Sequence, residues 1–95
     1  MVWAGAGNTF FIQGAKTWDP GNIVTGNQIS TTVTVVGAVL GDFVDISFSL
    51  DMEETILTGY VSAGDTVEVV LFNNTGGDKD LGEGTLRARV YPSIT

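Results

Sequence analysis

The sequence contains neither cysteine nor histidine. Without cysteine, no disulfide can tie the fold together and no thiolate can hold a metal. Without histidine, Ser–His–Asp and Cys–His nucleophilic sites are ruled out, because each takes its general base from His. Zinc sites of the ordinary His/Cys kind go with them. Basic residues are scarce: four Lys and Arg stand against eleven Asp and Glu, a net charge of −7. That balance disfavours phosphate backbones, whose binding needs a basic patch that releases counterions, and anionic membrane surfaces. Long apolar runs are missing too. The longest, Val35 to Leu40, falls far short of the roughly 20 residues that span a bilayer. Met1 to Gly14 has no Lys or Arg ahead of its apolar residues, and glycines interrupt it, so it lacks the order of a signal peptide. The expectation is synthesis in a cytoplasm without a leader, and partners that include neither nucleic acid nor membrane.

What is present suits one small domain. The chain has 95 residues, of which 43% are hydrophobic, including five Phe, two Trp and two Tyr. That is too apolar for a disordered chain. A domain of this size buries only about 60–65% of the surface it exposes unfolded, and small unstapled domains often add buried area by oligomerising. The acidity itself is first a means of staying soluble.

Met1 to Gly14 reads as an extended arm: Ala4, Gly5, Ala6 and Gly7 precede the apolar cluster Phe10-Phe11-Ile12. Ala15 to Gln28 reads as loop, with Trp18-Asp19-Pro20-Gly21-Asn22 and Gly26-Asn27 as turn signals, although short strands near Thr9 to Gln13 and Asn22 to Thr25 are possible additions. From Ile29 the period becomes two. Val33 and Val35 alternate with threonines; Val44, Ile46 and Phe48 with Asp45, Ser47 and Ser49. Asp51 to Glu54 is expected to be a solvated acidic connection. Leu57 and Val61 take one face of the next strand. Val67, Val69 and Leu71 follow, then Leu86, Ala88 and Val90, separated by a long polar loop from Asn73 to Gly84. Turn signals every 8–12 residues predict an all-β fold, a small antiparallel β-sandwich or open, jelly-roll-like β-barrel over residues 15–95, with residues 1–14 as the arm.

Acid–base chemistry would fall to carboxylates, Lys or Tyr. The candidate pairs lie among Asp42, Asp45, Asp51, Glu53 and Glu54, or among Asp78, Asp80 and Glu83. Nothing in the pattern sets them in an apolar cleft, and the expectation is no enzyme, no catalytic residue and no cofactor. Asp78-Lys79-Asp80-Leu81-Gly82-Glu83 offers hard oxygens but not the spacing of a calcium loop, so no metal is expected. Gly5-Ala6-Gly7 lacks the rest of a phosphate-binding loop. Asn73-Asn74-Thr75 matches a glycosylation acceptor and reads as a turn.

Docking surfaces are the more productive candidates. Ile56, Tyr60, Val70 and Phe72 fall opposite the alternating core positions and are candidates for an oligomer interface. Trp3, Phe10, Phe11 and Ile12, in a Gly/Ala-rich tether, are candidates for partner binding. Trp18, Tyr60 and Tyr91 are candidates for stacking sugar rings.

A resemblance runs through about three quarters of the chain, from Thr17 to Val90. It lies in Thr17-Trp18-Asp19-Pro20-Gly21, Thr31-Thr32-Val33-Thr34-Val35, Gly37-Ala38, Leu40-Gly41-Asp42-Phe43-Val44 and Ser47-Phe48-Ser49-Leu50-Asp51. It continues in Tyr60-Val61-Ser62-Ala63, Asp65-Thr66-Val67, Asn73-Asn74-Thr75-Gly76-Gly77 and Gly84-Thr85-Leu86-Arg87-Ala88-Arg89-Val90. These stretches, in this order, resemble a small β-domain of structural proteins of tailed bacteriophages. Such domains occur as head decoration (cement) proteins and as the outer parts of head or tail fibres. The acidic Asp51 to Glu54 departs from the less charged pattern of similar sequences. The resemblance implies a virion protein on the capsid surface, a homotrimer bound to the major capsid protein that stabilises the shell. The lack of a long N-terminal shaft favours this over the alternative, a receptor- or carbohydrate-binding fibre tip. A tail-tube or connector subunit is a third expectation.

Overall fold

Period-two alternation carries most of the chain into strands, and the computed structural model, which describes residues 10–93, contains no helix among them. The strands are β1 (Ile12–Trp18), β2 (Asn22–Ile23), β3 (Gln28–Thr34), β4 (Phe43–Phe48), β5 (Ile56–Ala63), β6 (Thr66–Phe72), β7 (Lys79–Asp80) and β8 (Gly84–Tyr91). One three-stranded sheet has the order β1-β8-β4, a second β3-β6-β5, and β2 pairs with β7 alone. Every pairing is antiparallel. Edge strand β1 lies beside β3, and β4 packs on β5, so the two sheets face each other as a β-sandwich. Pairing is nested, β1 with β8, β2 with β7 and β3 with β6, so the chain runs as one long hairpin rolled into two layers.

The central strands carry the core. On β6 every second residue, Val67, Val69 and Leu71, is fully buried, as are Leu86, Ala88 and Val90 on β8. Val44, Ile46 and Phe48 of β4, and Leu57 of β5, close over them from the edges. Burying a Val or Leu side chain stabilises by about 1.5–3 kcal/mol, which makes these two strands the main source of stability. A smaller cluster of Ile23, Leu71 and Leu81 fills the end where β8 begins, with Met52 packed against it and Trp18 meeting Phe48 edge-to-face at 5.9 Å.

The sequence-based arm boundary at Gly14 is corrected by β1. Ile12 to Trp18 pair in continuous register with β8, from Ile12 opposite Val90 to Trp18 opposite Gly84. Ile12 is half-buried against the core, and Ala15 to Trp18 are strand rather than loop. Gly14 faces inward, where a Cβ would run into the carbonyl oxygen of Thr34. Lys16, also inward by register, donates from Nζ to Thr31 Oγ1 at 2.7 Å and to the Thr32 carbonyl at 3.0 Å. Glycine thus lets the two sheet edges approach, and lysine bridges them.

The acidic connection keeps Asp51, Glu53 and Glu54 exposed and is shaped by local hydrogen bonds. Glu53 N donates to Asp51 Oδ1 at 2.9 Å, and Thr55 N and Oγ1 both donate to the Met52 carbonyl, which folds Met52 inward. Asn73 is fully buried. Its Nδ2 donates to the carbonyls of Ile23 and Gly77, and its Oδ1 accepts from Thr75 N and Oγ1. The acceptor-like Asn73-Asn74-Thr75 is therefore a buried polar anchor for the long loop, its amide nitrogen already committed.

Candidate docking surfaces

Strand directions bring one end of the sandwich together from distant parts of the chain. β1 starts there, β8 ends there, and the loop from Val35 to Asp42 passes between β3 and β4 at the same end. Phe43 lies opposite Tyr91 on the adjacent strand, Phe11 meets Tyr91 with ring centroids 5.9 Å apart, and Gly37 sits against Ile12. The apolar side chains left outside the core gather at this rim. Val36 is 75% exposed, Leu40 66%, Phe43 68% and Phe10 65%, with Val39 and Phe11 also exposed. Away from it, among the described residues, only Val24, Ile56 and Tyr60 are exposed large apolar groups. Exposed apolar side chains concentrated at one end in this way mark a candidate interaction site.

The rim loop is held in shape by Asp65, in the β5–β6 turn. Asp65 Oδ1 accepts from Gly37 N at 2.8 Å. Its backbone N donates to the Ala38 carbonyl, and its carbonyl accepts from Val35 N. Asp65 adopts φ 62°, a left-handed conformation that Asp and Asn tolerate better than most residues. Asp42 adds a second clamp, accepting from Val39 N at 3.0 Å and from Ser93 N at 2.9 Å. Val36, Val39 and Leu40 are thereby presented by a fixed loop.

The expected partner-binding residues separate. Phe10 and Phe11 belong to the rim, Ile12 belongs to the core, and Trp3 lies outside the described residues. Sequence reasoning missed Val36, Val39, Leu40 and Phe43. Their signal was available: Val35 to Leu40 is apolar yet broken by Gly37, and Phe43 stands out of phase with the inward Val44.

The expected oligomer residues do come together. Ile56 lies opposite Phe72, Thr58 opposite Val70, and Tyr60 opposite Glu68, all on the outer face of the β3-β6-β5 sheet. Ile56 and Tyr60 are exposed, whereas Val70 and Phe72 are half-buried. Trp18, Tyr60 and Tyr91 do not form one stacking surface: Trp18 packs into the core, and the two tyrosines belong to different sheets. Among the described residues no three acidic side chains converge in a way that would hold a metal ion.

A third surface is charged. Both arginines of the chain, Arg87 and Arg89, point outward from β8, the central strand of the β1-β8-β4 sheet. Gln13 and Asp45 flank Arg89 in register, and Ala15 and Ser47 flank Arg87. Two adjoining grooves of about 150 and 390 Å³ share Gln13, Arg87 and Arg89 in their walls.

No protein-family model matches the chain, and no curated protein matches it as a relative.

Proposed function

We propose that the chain is a capsid decoration protein, a virion structural protein that attaches to the outer shell through the apolar rim and stabilises it against internal pressure. The observation that carries this reading is the gathering of Phe10, Phe11, Val36, Val39, Leu40 and Phe43 at one end of the sandwich, on a loop pinned by Asp65 and Asp42. A pre-shaped apolar end loses little conformational entropy on docking. The sequence resemblance to phage structural domains from Thr17 to Val90 supplies the partner, the major capsid protein. In this reading copies associate as a homotrimer through Ile56, Tyr60, Val70 and Phe72, which share an outer face.

The test is to locate and count the protein on purified particles by electron microscopy and quantitative mass spectrometry, and to weigh the isolated protein by light scattering. Many copies spread over the shell, with a solution mass about three times the 10.0 kDa of the chain, are expected. A few copies confined to a fibre tip would replace decoration by receptor binding. A monomer at micromolar concentration would remove the trimer.

A further inference from the structure

We propose that the outer face of the β1-β8-β4 sheet is a binding site for an acidic saccharide, a sugar chain bearing carboxylates, with Arg87 and Arg89 as its anion-gripping pair. The site is on the side of the sandwich and borders the apolar rim at Phe11, and the proposal does not depend on the decoration reading.

In a chain of net charge −7 with four basic residues, Lys16 is engaged with Thr31 and Thr32 and Lys79 lies 3.8 Å from Glu53. The two arginines remain. They are two residues apart on one face of a strand, about 7 Å along it, and both are exposed. Neither forms an ion pair with a carboxylate among the described residues, although Asp45 stands directly across from Arg89. Arg89 is not loose: its guanidinium lies 4.4 Å from the centroid of the Phe11 ring, a stacking contact that sets its orientation. A guanidinium so placed presents a planar fork of donors suited to a carboxylate.

The rest of the lining narrows the ligand. Gln13, Asp45 and Ser47 line the smaller groove beside both arginines, and together they offer an amide, a hydroxyl and an acceptor carboxylate. Sugar hydroxyls satisfy all three, with Asp45 accepting from them. A polyanion without hydroxyl donors would bring its charge against Asp45 with nothing to donate to that carboxylate. That argues against a phosphate backbone or a run of acidic residues. The adjoining larger groove, about 390 Å³, is walled by Gln13, Gly14, Ala15 and the same two arginines.

Isothermal titration of the full chain with an oligogalacturonate, a neutral galactan oligomer of equal length and an oligoglutamate tests this. Saturable binding of the oligogalacturonate is expected, with weaker or no binding of the other two. Arg87→Gln and Arg89→Gln should each weaken it about tenfold or more, as loss of a charged hydrogen bond does, with circular dichroism unchanged. Asp45→Asn should lower preference for the saccharide over oligoglutamate. No saturable binding at millimolar oligogalacturonate, equal binding of either control oligomer, or binding indifferent to both arginine substitutions would overturn the proposal.

Discussion

Gly14 on β1 faces the backbone carbonyl of Thr34 at the end of β3, with no room between them for a side chain. The contact joins the edges of two sheets that share no backbone ladder there. Two residues on, Lys16 reaches across the same seam.

Gly14→Ala should therefore destabilise the fold by about 1–3 kcal/mol, the usual cost of forcing volume into a packed site. Gly64 lies in a turn with open space where its Cβ would go, and Gly64→Ala should be close to neutral. Urea denaturation of both variants checks this. Equal midpoints would show that the seam opens without cost.

The Asp65 turn separates conformation from hydrogen bonding. Asp65→Asn keeps tolerance for left-handed backbone and a side-chain oxygen for Gly37 N, so its melting temperature should stay near that of the parent. Asp65→Ala loses both and should cost about 1–2 kcal/mol. Hydrogen exchange at Gly37 should rise in the alanine variant alone.

Asn73 is the most demanding polar position. Asn73→Ala would leave the Ile23 carbonyl without its donor in a buried setting and take from the Gly77 carbonyl one of its two donors, a loss of about 1–3 kcal/mol. Thermal melts should show it, whereas Asn74→Ala, at an exposed position, should change little.

The inward residues of β4, β5, β6 and β8 were legible because each alternates apolar with polar over several residues, and Val67, Val69, Leu71, Leu86, Ala88 and Val90 are all buried. β1 hid for a physical reason. Its inward positions are Ile12, Gly14, Lys16 and Trp18, so two of the four carry no apolar side chain and the period-two signal vanishes. β2 and β7 are two residues each, too short to show any period. The rim was hard to read because it is assembled by topology, from the start of β1, the β3–β4 loop and the start of β4. The arginine pair was visible as i, i+2 neighbours, but only the register with Gln13 and Asp45 turns it into a lined groove.

The central claim is that the apolar rim is what docks. The most direct measurement compares the parent chain with the double variant Leu40→Glu, Phe43→Glu in co-sedimentation with capsids lacking the protein. Both side chains are exposed, so the variant should keep the parent's circular dichroism and melting temperature. Truncating a buried anchor commonly costs about 2 kcal/mol or more, about 30-fold in affinity, and placing a charge there should cost at least as much. The account predicts that the parent co-sediments with capsids and the variant does not. A folded variant that binds capsids as tightly as the parent would contradict it and move the contact to another face.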